Sequence, residues 1–153
     1  MKLAPATLLI AIAATALFAH DYSTGALTID HPVIYESPGM ARTAAGYMTI
    51  TNDGDSPERL IGVRAEGVPT TMLHESVMDG DIVRMEHLEA VVIAPGESVA
   101  FDPGGKHVMF MGLDGTPLVE GDEIAATLIF DRAGEVDVTF TVEPRGDADH
   151  TGH

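Results

Sequence analysis

His107-Val108-Met109 sets a histidine and a methionine two residues apart. On a β-strand that spacing turns both side chains to one face. A second such pairing comes from "TTMLHESVMDGDIVRMEHLE". Asp79-Gly80 between two β-type runs reads as the loop of a two-residue hairpin, because type I′ turns need positive φ and Asp-Gly supplies it. With that loop Met78 pairs with Asp81, His74 lies opposite Met85, and Met72 lies opposite His87. Opposed residues share a face, with Cβ atoms about 5 Å apart. The register does not choose between these two His–Met pairs. Either one, joined to His107 and Met109, makes a set of two imidazoles and two thioethers. Thioether is soft and neutral, so the set favours Cu(I) over Zn(II) or hard cations. Iron or zinc enzymes ordinarily draw on carboxylate or a third histidine.

The composition narrows the chemistry further. The 153 residues contain no cysteine, which removes thiolate metal sites, blue-copper sites and thiol–disulfide exchange. A soft metal must then be held by His and Met. No G-x-S-x-G or H-E-x-x-H motif is present, and no nucleophile–base constellation is evident. The expectation is a metal carrier and not an enzyme. Acids outnumber bases by 24 to 8. Such a surface repels phosphate backbones and anionic lipid, so nucleic-acid binding is not expected, and it suits solubility or a cationic partner.

The elements that must position these residues are short. Residues 1–19, "MKLAPATLLIAIAATALFA", carry Lys2 and then an apolar run from Leu8 to Phe18. That run is shorter than the roughly 20 residues a spanning helix needs, and it fits the core of a secretory signal peptide. Ala14-x-Ala16 satisfies the small-x-small cleavage rule. Losing this leader takes away one base and no acid, which leaves 7 bases, 24 acids and a net charge of −17. The expected location is the periplasm, with no membrane insertion after cleavage. Strands are expected at Ala26–Ile34, Ala44–Thr51, Arg59–Ala65, Thr70–Met78, Ile82–Leu88, Ser98–Phe101, His107–Met111, Glu123–Phe130 and Val136–Val142. Turn residues separate them in "NDGDSP", "MDGD", "APGE", "DPGGK", "DGTP" and "RAGE". Many short strands at this spacing predict an all-β fold, an antiparallel sandwich or barrel, as one domain over residues 20–143. Residues 144–153 read as a flexible, His-containing tail. Met48 and Met111 read as core, and His31 as a strand-end histidine held by a hydrogen bond.

His74, ten residues, Met85, twenty-one residues, His107, one residue, Met109: this order resembles the H-x10-M-x21-H-x-M signature of the periplasmic copper chaperones called PCu(A)C. The resemblance extends over "AHDYSTGALTIDHP", "AAGYMTITNDGDSPERLIG" and "LHESVMDGDIVRMEHLEAVVIAPGESVAFDPGGKHVMFMGL". It implies a cupredoxin-like β-sandwich with an exposed Cu(I) site formed by His74, Met85, His107 and Met109, leaving Met72 and His87 as bystanders. It also implies copper delivery toward the copper A centre of cytochrome c oxidase, alongside Sco-type thiol proteins; the carrier is expected to be a monomer. The chain departs from the family at Val33-Ile34-Tyr35, where Trp-Ala-Arg is frequent, and in its short tail. Asp147, Asp149, His150 and His153 on that tail would suit a second copper, Cu(II), since that ion prefers nitrogen and oxygen donors. Two other readings are a copper-dependent oxidative enzyme that chelates through an N-terminal His20, and an interaction sandwich that binds no metal.

Overall fold

The computed structural model of the chain describes residues 21–146. The leader, His20 and the tail from residue 147 onward lie outside the described residues. Among the described residues there are eleven strands and no helix. They are β1 (Asp21–Thr24), β2 (Leu27–Tyr35), β3 (Thr43–Asn52), β4 (Glu58–Ala65), β5 (Thr70–Asp79), β6 (Ile82–Leu88), β7 (Val91–Ile93), β8 (Ser98–Phe101), β9 (Lys106–Met111), β10 (Glu123–Phe130) and β11 (Gly134–Glu143). The nine expected strands are all present. The two additions, β1 and β7, are four and three residues long. Runs that short carry too little alternation to register as strands in sequence.

The strands form one sheet in the order β6-β5-β9-β3-β2-β11-β10-β4-β7, with β1 added to β2 and β8 to β3. All pairings but one are antiparallel; β2 and β11 run parallel over Val33–Tyr35 and Thr141–Glu143. That pairing joins distant segments, so no hairpin signal announces it. The order leaves β6 and β7 as the two edges of the sheet, and its strands bury one core. Alternate residues of β11, Val136, Val138, Phe140 and Val142, face inward as their period of two predicts, and they meet Phe110 of β9 and Ile34 of β2. The rings of Phe110 and Phe140 pack edge to face with centroids 5.3 Å apart. Where the sheet folds over, the Thr71 hydroxyl of β5 donates to the Val63 carbonyl of β4.

Met48 is buried against this core as expected. Met111 is not part of it. It pairs with Thr70 and Thr43 on the outer face of β9, where it is half-buried, because the alternation that buries Val108 and Phe110 turns Met111 outward. His31 lies inside β2 and not at a strand end. It occupies a bulge between Asp30 and Val33 with φ 49°, and its ring contacts the Glu143 carboxylate at 3.1 Å.

The β5–β6 hairpin departs from its expected register. Asp79 pairs with Ile82, so the loop is Gly80-Asp81 and not Asp79-Gly80. Gly80 has φ 64° at the first loop position, and Asp81 is not among the residues of positive φ. This is the requirement of a type II′ turn, which needs glycine first, and not of type I′. Arg84 and Asp79 hold the strand ends together with a 3.0 Å ion pair. The shift moves each pairing by two residues and therefore leaves every side chain on its expected face, whereas a shift of one would have reversed them.

Candidate metal centre

The corrected register changes who faces whom. His74 is opposite His87, and Met85 is opposite Ser76. Neither of the expected His–Met pairings, His74 with Met85 or Met72 with His87, is formed directly. On the other side of β5, β9 pairs so that His107 lies opposite His74 and Met109 lies opposite Met72. His87, His74 and His107 thus form a row across three adjacent strands. Met85, on the same face of β6, is diagonal to His74. All four expected ligands, His74, Met85, His107 and Met109, are on one face of the β6-β5-β9 edge of the sheet.

The ring of His74 lies 5.8 Å from that of His107 and 6.0 Å from that of His87, centroid to centroid, with both neighbours nearly perpendicular to it. His107 is only 4% exposed, whereas Met85 at the hairpin is 60% exposed. The site therefore has a sheltered end on β9 and an open end on β6.

Two features make the histidines suitable as ligands. His107 Nδ1 is 3.1 Å from the Gly105 carbonyl, to which it donates as Nδ1–H, leaving the lone pair on Nε2. Nε2 of His107 and Nδ1 of His74 are both buried without a hydrogen-bond partner. Buried polar atoms are nearly always paired, so two orphaned imidazole nitrogens on directly opposed residues single out this spot as a candidate ligand site. Burial, followed by the nearby His107 and His87, lowers the pKa of His74 from the ordinary imidazole value, a direction that favours the neutral, lone-pair-donating form.

The electrostatics of the two hairpin faces differ. The face with the histidines carries Met72, His74, Ser76 and Met78 on β5 and Val83, Met85 and His87 on β6, none of them acidic or a permanent cation. The charges sit on the reverse face, where Lys106 reaches Glu75 at 2.9 Å and Arg84 reaches Asp79. Among the described residues no group of three or more His, Cys, Asp or Glu is arranged to hold an ion. Imidazole and carboxylate alone form no such group among the described residues, and Met85 and Met109 are thioether donors on the same face. Such a donor set fits copper in its reduced state far better than zinc or a hard cation.

The LpqE-like family, described as "Putative lipoprotein LpqE-like", matches residues 27–142. The chain belongs to the LpqE-like family. A curated relative, "Putative lipoprotein Lxx21020" of Leifsonia xyli subsp. xyli, is 30% identical to this LpqE-like chain over 96 residues. That match covers 62% of the chain and 57% of the relative's length. Among solved structures, the copper-bound PCuAC domain from PmoF2 superposes with a TM-score of 0.68 at 28% identity, covering 82% of the chain and 99% of that domain. The apo PCuAC domain from PmoF1 gives 0.69 at 25% identity, covering 82% of the chain and 100% of that domain. The Cu(I) form of DR1885 from Deinococcus radiodurans gives 0.56 at 28% identity, covering 87% of each chain. The likeness to PCu(A)C and the all-β fold are thereby both established.

The direct neighbour of His74 on β6 is His87 and not the expected Met85. The signal was available in the glycine: Gly80 also fits the first position of a type II′ loop.

Proposed function

We propose that this protein is an exported copper chaperone, not an enzyme, that holds one Cu(I) through His74, Met85, His107 and Met109. The reading rests above all on His74 and His107. They are opposed across β5 and β9, each with a buried, unpartnered ring nitrogen, on a face with thioethers and no carboxylate. The copper-bound and Cu(I) forms of the similar structures support it. Neutral ligands near the surface suit an ion that must be released again. Residues 1–19 serve as the signal peptide and residues 20–143 as the copper-binding domain, and the lipoprotein description of the family supports export. The acceptor is a periplasmic copper protein such as the copper A subunit of cytochrome c oxidase, with Sco-type thiol proteins acting alongside.

X-ray absorption on the fully reduced, copper-loaded protein tests the site. One Cu(I) per chain with both sulfur and nitrogen scatterers is expected, and a shell without sulfur would overturn the assignment. A second copper, Cu(II) on Asp147, Asp149, His150 and His153, falls outside the described residues. Truncation after Pro144 should abolish its paramagnetic signal and spare Cu(I). Undiminished Cu(II) binding by the truncated chain would remove the tail from the scheme.

A further inference from the structure

His87 has no place in the four-ligand set, yet it faces His74 as directly as His107 does. The two flanking rings lie at nearly equal distances from His74, 6.0 and 5.8 Å. They belong to strands on opposite sides of β5. The three imidazoles do not close around a common point. His74 can share an ion with one neighbour or the other. The two choices differ in exposure: His107 is nearly buried, whereas His87 lies exposed on the edge strand β6 beside Met85.

We propose that His87 is an exchange ligand, and that the face holds two overlapping copper stations sharing His74 and Met85. In the inner station His107 and Met109 complete the Cu(I) shell. In the outer station His87 replaces them, and copper stands at the open edge of the sheet, within reach of an acceptor's ligands. The step is a ligand substitution. The His87 nitrogen–copper bond forms as the bonds to Met109 and His107 break, and the ion stays Cu(I) throughout. His74 and Met85 hold it meanwhile, so copper is never free. β6 suits this role because it is the outermost strand of its edge and is exposed along most of its length. Its residues on that face, Val83, Met85 and His87, include no acid and no permanent cation that would compete with an incoming ligand.

This inference rests on the Cu(I) site proposed above, and one experiment separates the two. The full chain is loaded with Cu(I) under reducing conditions, and transfer to bathocuproine disulfonate is followed by its absorbance in stopped flow. His87→Ala should keep one Cu(I) per chain yet release it about tenfold more slowly, equivalent to about 1.4 kcal/mol of barrier. His87→Met, which restores a soft donor at the same place, should recover most of the rate. His87 is exposed, so neither change threatens folding, and Met78→Ala serves as a control for altered surface near the site. Equal release rates for wild type and His87→Ala would overturn the exchange role. Loss of Cu(I) from His87→Ala would overturn it also, by making His87 a resident ligand. Failure of the wild type to bind Cu(I) would instead defeat the chaperone reading and this inference with it.

Discussion

Met109 and Met48 are both methionines on neighbouring strands, and the alternation of the pleat separates their roles. Met48 is 3% exposed in the core, whereas Met109 stands on the outer face opposite Met72. Met48→Ala removes buried volume and should cost about 2–5 kcal/mol of stability, read from urea unfolding. Its copper affinity, measured on the folded fraction, should stay close to wild type. Met109→Ala should show the reverse. Stability changes little, and Cu(I) affinity falls by at least the roughly 10–100-fold that loss of a supporting outer-shell group costs a metal site. Competition titration against a Cu(I) chelator measures this, and equal affinities for the two variants would refute the ligand role of Met109. At His107 the supporting group is main chain. The Gly105 carbonyl fixes the ring, so the tautomer survives any side-chain change at that position.

The elements that carry the site are two strand pairings with different origins. The β5–β6 hairpin is local, and its register depends on one loop. A Cβ at Gly80 would touch nothing within 4 Å, so Gly80→Ala meets only backbone resistance at φ 64°. That resistance is about 1–2 kcal/mol. The β5–β9 and β3–β9 pairings are long-range and depend on packing. At Gly46, which pairs with Val108, an added Cβ would come within 2.8 Å of both the Phe110 and Phe140 rings. Gly46→Ala should destabilise by about 1–3 kcal/mol through overpacking, and should weaken copper binding by disturbing the strand that presents His107 and Met109. Gly80→Ala should loosen the hairpin, seen as faster amide exchange in β6, with a smaller change in the global unfolding midpoint. If Gly46→Ala unfolds at wild-type urea concentration, β3 and β9 do not pack as described.

Over the whole molecule, copper binding and folding are linked. The proposed ligands come from β5, β6 and β9, and β9 reaches β5 only when the sheet has formed. The unfolded chain spreads the same residues from position 74 to 109 and should hold copper poorly. Cu(I) at about 1,000 times its dissociation constant should therefore stabilise the fold by about 4 kcal/mol. The expected observation is a higher urea midpoint with unchanged slope, reversed by a Cu(I) chelator and absent in His107→Ala. A copper-independent midpoint would mean that the ligands do not converge. The net charge of −16 acts at longer range, favouring encounters with cationic surfaces that weaken with salt.

Much was legible in the sequence because its periods are local. The alternation in β11, the turn clusters and the two-residue spacing of His107 and Met109 each report which face a side chain takes. They identify an all-β chain with imidazole and thioether on one side. The absence of cysteine excluded thiolate donors, and the acid excess set the sign of the surface charge. Which donors touch was decided by tertiary structure. A two-residue shift at Gly80-Asp81 leaves faces unchanged but replaces Met85 by His87 opposite His74, and no period-two signal detects such a shift. The β5–β9 and β2–β11 pairings join segments with no turn between them, so they arise from burying Val108, Phe110, Phe140 and their neighbours in one core. The row His87, His74, His107, and the gradient from exposed to buried along it, exist only once that core has brought β9 beside β5.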